Sequence, residues 1–315
     1  MIMGRGVGCF PALYNRAQQD YFSVNQSNIR EVMNADFVRY PYNEIISILL
    51  EIGVIGCILI SMLLYDILRK KNYYNFICRY KSIYYVIVGS TISLIALSMF
   101  TYPFKILTVI TILVVSIGAL SSLQSPIMTL HPYLSPKLVT FFLLPILTIH
   151  LYTLHHYLKI QKADLLTKAE YNEVLNIYSQ SIRACEYDPV ILYKYNNYLY
   201  DNKEYEEAEK NLLKVIKYFP FPAVFDLLGD NYLQLGNEAL AENAYKNGIN
   251  STPNKLASRY KLFLLYKQKN KYQEAIKIGN EILRLPIKIA SKKTYFIKNE
   301  VRKFISNHEN EMLCH

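Results

Sequence analysis

The chain opens with some forty residues in which polar and apolar positions mix without period, and then the pattern changes within a few positions. In "YPYNEIISILLEIGVIGCILI", residues 40 to 60, Asn43 and Glu44 close the polar part, and Ser47 and Glu51 alone interrupt the apolar stretch behind them. Four apolar runs can be drawn from here, over 45–68, 82–100, 104–123 and 138–158, of 19 to 24 residues each. About 20 residues at 1.5 Å per residue cross some 30 Å of hydrocarbon. Four such runs in close succession leave no polar face for water, so the pattern predicts an integral membrane unit over 43–158 rather than a soluble core. Residues 1–42 then form an extracytoplasmic polar segment.

A different periodicity takes over after the membrane runs. Ala208, Ala241 and Ala275 are 33 and 34 residues apart, and Pro220, Pro253 and Pro286 are each 33 apart. Tyr205 and Tyr272 precede their alanines by three positions, and Gly229 supplies a small residue on a first helix. A period near 34 with small residues at helix crossings and a closing proline is the tetratricopeptide signature. The alanines let paired helices approach, and proline cannot continue the second helix. The units fall at about 189–220, 222–253 and 256–286, inside a repeat domain over 159–305. A capping helix pair is expected over 166–188, a final helix over 292–305 and a tail over 306–315. The fold class is therefore all-α: four transmembrane helices followed by a tetratricopeptide-repeat α-solenoid. Such a stack offers a concave surface to a partner protein, or packs on its own membrane domain; both readings stand.

Charge adds orientation. Lys and Arg outnumber Asp and Glu by 12 to 6 up to residue 159 and by 23 to 19 beyond it, within a formal net charge of +10. The excess is spread rather than gathered in a stripe with stacking aromatics, so no nucleic-acid partner is indicated. Arg69, Lys70, Lys71, Arg79 and Lys81 crowd the loop after the first run and mark it as cytoplasmic. Lys159, Lys162 and Lys168 after the last run point the other way. Large domains cross regardless of charge, so the dense loop decides. The amino-terminal segment and the repeats are then outside, in a bacterial inner membrane with a periplasmic repeat domain. No apolar leader precedes the first run, which suggests the rear portion of a longer protein. The stretch from Arg284 to Lys303 has seven basic residues against Glu300 and reads as a solvated helix face that could also approach anionic lipid.

The remaining composition excludes more than it suggests. Twenty-nine Tyr with no Trp, beside abundant Asn, Ile and Lys, look like codon bias. Cys9, Cys57, Cys78, Cys185 and Cys314 have neither disulfide nor zinc spacing, and no metal or cofactor is indicated. His155 and His156 end the last run as interfacial residues.

Four stretches carry a resemblance: "GRGVGCFPALYNRAQQDYF" (4–22), "NEIISILLEIGVIG" (43–56), "FTYPF" (100–104) and "LPIKIASKKTYFIKNE" (285–300). Together they resemble the carboxy-terminal part of the O-antigen ligase and polymerase family in its version fused to tetratricopeptide repeats. That resemblance implies transfer of a glycan from undecaprenyl diphosphate to an acceptor hydroxyl, with a separately encoded front half as a further partner. Candidate catalytic residues are Asn43, Glu44 and Glu51. Tyr42 stands where the family commonly has a histidine, and Arg39 is the local candidate for substrate binding. A tyrosine, with a pKa near 10, is a poor general base at neutral pH, so the chain alone is expected to be inactive. Each residue also has a structural reading. Asn43 and Glu44 suit a helix start, Glu51 in an apolar run needs a partner, and Gly53 and Gly56 suit close helix contacts. Beside the glycosyltransferase fragment stands a second function: a membrane-anchored tetratricopeptide scaffold for envelope proteins. A degenerate gene remnant is the third.

Overall fold

The structure is a computed structural model that describes residues 2–24, 28–68, 74–103, 106–122, 135–165, 171–184 and 188–313. Arg69, Lys70 and Lys71 of the basic loop, Phe104 and Leu123 of the expected runs, Lys168, Cys185 and Cys314 lie outside the described residues. Fourteen helices and no strand are found among the described residues. The chain opens with α1 (Phe10–Val24) and α2 (Ile29–Asn34). Apolar helices come next: α3 (Glu44–Leu68), α4 (Tyr74–Leu97), α5 (Leu107–Ser122) and α6 (Ser135–Ala163). The rest are α7 (Tyr171–Ser181), α8 (Pro189–Asp201), α9 (Tyr205–Tyr218), α10 (Pro222–Gln234), α11 (Glu238–Ser251), α12 (Ala257–Gln268), α13 (Tyr272–Arg284) and α14 (Lys292–Leu313). Two compact units result. One comprises Met1–Pro11 and Val38–Leu144, the other Ala12–Phe37 and Pro145–His315. The second unit thus takes most of the polar opening segment together with the repeats.

In the first unit the apolar pattern makes helices, but not four uniform rods. One described helix, over Glu44–Tyr65, is long and apolar enough to cross a membrane; the apolar stretches Tyr85–Leu97 and Thr108–Gly118 are shorter. Among the described residues one helix of membrane-crossing length thus stands where four were expected. The reason is local. The first turns of α4 carry Asn75, Arg79 and Lys81, which shorten its apolar stretch. Large apolar side chains are nevertheless exposed on all four helices, among them Leu59, Met62, Val86, Ile92, Val114, Val115, Phe141 and Ile149. So much apolar surface marks a face that something other than water covers.

The helix α3 is broken. Gly53 sits at φ 75° and ψ −179°, outside helical geometry, and frees backbone groups on either side of it. The opening residues take them up. Arg5 N donates to Leu50 O at 2.9 Å, Gly6 N to Glu51 O at 3.0 Å, and Ile55 N to Ile2 O at 3.4 Å. An unsatisfied backbone group in an apolar setting costs several kcal/mol, so this stitch is what makes the break tolerable. It works only because two glycines meet. A Cβ on Gly4 would lie 2.0 Å from Glu51 O, and one on Gly53 2.5 Å from Gly4 N.

In the second unit the sequence period becomes a structural period. The helix pairs α8/α9, α10/α11 and α12/α13 each turn through a left-handed residue: Lys203 (φ 65°), Gly236 (φ 77°) and Asn270 (φ 56°). The same bond closes each turn: Glu204 N to Leu199 O at 2.9 Å, Asn237 N to Tyr232 O at 2.8 Å, and Lys271 N to Tyr266 O at 3.0 Å. This is a helix C-cap with a left-handed residue, and only its second copy uses glycine. Ala208, Ala241 and Ala275 are fully buried. One core runs from Leu192 through Leu228, Tyr245 and Phe263 to Val301 and Ile305 of α14. A smaller one joins Ile160 and Ala163 of α6 to Val174, Tyr178, Tyr195 and Ala208. The last turns of α6 therefore serve, with α7, as the first pair of the stack. No helix breaker stands between Leu158 and Ala163, so the helix runs on past the end of the apolar run.

Substituting either glycine of the stitch tests it. Gly53→Ala forces a side chain into left-handed backbone, and Gly4→Ala drives one into the α3 main chain. Each should lower the unfolding free energy of the detergent-solubilised chain by about 2 kcal/mol or more. Gly89→Ala, at a position with open space around it, should change thermal unfolding little.

Candidate functional site

The residues singled out in the sequence do come together, at the start of α3. Asn43 Oδ1 accepts from Ile46 N at 3.1 Å, an N-cap bond. Glu44 is buried, and its main-chain N donates to Ser98 O at 2.8 Å. The exposed ring of Tyr42 meets Tyr102 edge-on with centroids 5.9 Å apart, while Tyr40 meets Tyr102 at 5.6 Å. The Arg39 guanidinium lies 5.3 Å over the Tyr40 ring. Glu51 is two turns further on and takes a hydrogen bond from Ser47 Oγ on its own helix at 3.3 Å. This is how a helix end is fastened to the 98–102 turn. Asn43 caps, the tyrosines pack, and the Glu51 carboxylate finds its partner one turn back.

Two other places on the repeat unit have the chemistry of recognition. The first is the groove formed by the leading helices α8, α10 and α12. Asp226 and Asp230 share one face of α10 a turn apart. The Lys261 ammonium from α12 pairs with Asp230, which also accepts from Tyr245 Oη at 2.7 Å. Leu233, Tyr260, Leu264 and Gln268 line the adjoining hollow of about 390 Å³. Asp226 is almost wholly buried beside Ser258 and Gly248. Burial pushes its carboxyl up to about 6, against the pull of the Ser258 hydroxyl and the Lys261 charge. Burial, with Asp226 and Asp230 nearby, also raises Tyr193 on α8.

The second place is the edge of the stack where each unit ends at its closing proline. Residues 12–24 and 28–37 of the same chain lie along it. Arg16 donates to Lys217 O at 3.3 Å, Gln18 Nε2 to Ser251 O at 2.8 Å, and Gln19 Nε2 to Asn247 Oδ1 at 3.0 Å. Asn254 Nδ2 reaches Asp36 Oδ1 at 3.0 Å and Met33 O at 3.2 Å. Lys288 Nζ reaches Asp36 Oδ2 at 2.5 Å and Met33 O at 2.9 Å. Burial works to raise the Asp36 carboxyl, but the bonds from Lys288 and Asn254 outweigh it and hold it below the usual range. Phe37 packs edge-on against Phe219, centroids 4.7 Å apart. The clamping residues recur with the repeat: Phe221 and Asn254 each follow a closing proline directly, and Lys288 follows one by two positions. Sequence reasoning missed this strap because its bonds go largely to main-chain carbonyls. The one available signal was Asn254 directly after Pro253 and Lys288 two positions after Pro286.

No group of three or more His, Cys, Asp or Glu that could hold a metal ion occurs among the described residues. No family model matches the chain, and no curated protein does. Among solved structures the chain is similar to the MamA protein at 16% identity and a TM-score of 0.38, covering 49% of this chain and 88% of that one. It is also similar to YrrB, described as a TPR protein with an unusual peptide-binding site, at 16% identity and a TM-score of 0.35. That overlap covers 48% of this chain and 78% of YrrB. The repeat assignment rests on this chain's own recurring turns and caps. The resemblance to the O-antigen ligase and polymerase family is corrected: neither a family model nor a curated protein supports it. The glycosyltransferase fragment and its glycan substrate fall with it. The motifs behind the resemblance have structural work instead, in the Gly4–Gly53 contact and the Asn43 cap.

The groove predicts a pH dependence. Folded Asp226 keeps its proton to about pH 6, against 3.8 for an ordinary aspartate. Between these values the folded chain binds more protons than the unfolded one, so stability falls as pH rises through the window. Asp226→Asn removes that cost. It should raise unfolding free energy at pH 7.5 by on the order of 2 kcal/mol, with the gain fading as pH approaches 4. Denaturant titrations across that range check it.

Proposed function

We propose that this protein is a membrane-anchored tetratricopeptide scaffold whose repeats bind segments of other proteins. The observation that carries the reading is the strap. The closing-loop edge already holds a polypeptide, residues 12–24 and 28–37, through the Asn254 and Lys288 clamp on Asp36 and Met33 O. That is peptide recognition carried out within one chain. The groove on α8, α10 and α12 supplies a second surface of the same kind, with polar groups that the helix packing does not require. Gln268 and the outward part of Lys261 offer bonds to a partner main chain, and Leu233 and Leu264 offer apolar contact. Many repeat stacks use such a concave face for extended peptides.

Membrane attachment is the second part of the proposal. The exposed apolar side chains of α3 to α6 support it, and Glu44–Tyr65 has the length and hydropathy of a span. Irregular backbone within a span is tolerated where protein covers it, and residues 2–6 cover Gly53. We assign α4, α5 and α6 to the same apolar layer.

A photo-crosslinking amino acid at Lys261, in the groove, tests the partner reading against the same probe at Lys210 on the outer helix α9. The expected result is a discrete protein adduct from Lys261 in native membranes, lost when Leu264→Glu is added. Adducts alike at both positions, or none at Lys261, would count against a groove-binding scaffold.

A further inference from the structure

The helix α14 has two faces. One side buries Ile297, Val301, Phe304 and Ile305 in the repeat core. The opposite side presents aromatics and cations in alternation. Tyr295 and Phe296 are 54% and 62% exposed, and Ile289 just before the helix is 67% exposed. Lys292, Arg302 and Lys303 flank them at helical spacing, and Lys293 is exposed beside them. The acid of this stretch is committed inward. Glu300 takes a hydrogen bond from Tyr260 and pairs with Lys267, and none of Lys292, Lys293, Arg302 or Lys303 joins an ion pair among the described residues. Two further cations of the run are engaged elsewhere: Lys298 is bonded to Leu283 O and Leu285 O, and Lys288 to Asp36.

We propose that this stripe is a docking face for an anionic membrane surface. Aromatic side chains exposed on a basic helix seat at the level of lipid headgroups, where the rings enter the interface and the ammonium groups meet phosphates. A second copy of the chain placed face to face would set cation against cation. A neutral apolar partner would leave four cations desolvated and unpaired. An anionic surface satisfies both the rings and the charges. The inference rests on the membrane reading above, because a repeat unit tied covalently to membrane helices meets lipid at high local concentration. Each cation at such a surface adds roughly fivefold to binding.

The chain contains no Trp, so Phe296→Trp places a sole reporter in the stripe. The full-length variant would be reconstituted into vesicles of phosphatidylcholine alone or with phosphatidylglycerol, and recovery by flotation scored first. In anionic vesicles the emission should shift to the blue and be quenched by brominated lipid. In neutral vesicles, or near 1 M salt where screening acts within about 3 Å, it should stay water-exposed. Adding Lys292→Glu and Lys303→Glu should lower the lipid-quenched fraction at least about tenfold. A chain that floats while the introduced indole stays open to aqueous acrylamide in both vesicles overturns the stripe but not the membrane reading. Equal lipid quenching in both vesicles overturns the role of charge. Shielding from acrylamide without lipid quenching means that the stripe docks on protein instead. Failure to float with either vesicle overturns both readings.

Discussion

The repeat unit depends on a few points where one helix comes so close to the next that only hydrogen or a methyl group fits. A Cβ on Gly229 of α10 would lie 2.3 Å from Cε1 of Tyr245, and one on Gly248 of α11 would lie 2.7 Å from Ser258 Oγ. On α13 the contact of Gly279 is with Val301 and Ile305, and Ala208, Ala241 and Ala275 are fully buried. Interiors pack at crystal-like density, so these approaches fix the angle of each pair and, by repetition, the line of the stack. The groove follows from that line. Tyr245 can reach Asp230 only because Gly229 lets its ring lie against α10, and Asp230 then stands where Lys261 meets it.

Backbone pairing does in the first unit what small side chains do in the second. At Gly53 a helix that would otherwise expose its carbonyls is completed by main-chain groups of residues 2–6. Along the repeat edge, carbonyls of Lys217 and Ser251 accept from the strap, while Asn254 and Lys288 donate to it. Both joins attach parts of the opening forty residues to elements distant in sequence.

That difference explains which features could be read from the sequence. The repeat period, the buried alanines and the closing prolines are side-chain facts, and they appear at their spacing in the written chain. Hydropathy located α3 to α6 but could not say where they end. Helix α6 continues into the cap because the helical backbone is indifferent to the loss of apolar side chains after Leu158. The stitch and the strap were illegible because a peptide N–H or C=O has no letter of its own. The glycine spacing at 4–8 and the Asn43–Glu44 pair invited a family reading for the same reason: local backbone needs produce short motifs that an unrelated family also has. The Asp226–Asp230 face and its lysine were visible as letters, but only the fold brings Lys261 across to them.

The organisation of the stack by close helix approach is tested most directly at Gly229. Helix propensity alone predicts that Gly229→Ala stabilises by about 1 kcal/mol. The contact with Tyr245 predicts the opposite sign, a loss of about 2 kcal/mol or more in denaturant unfolding of the full chain, with much of it recovered when Tyr245→Leu opens the space. A gain in stability on Gly229→Ala would contradict it.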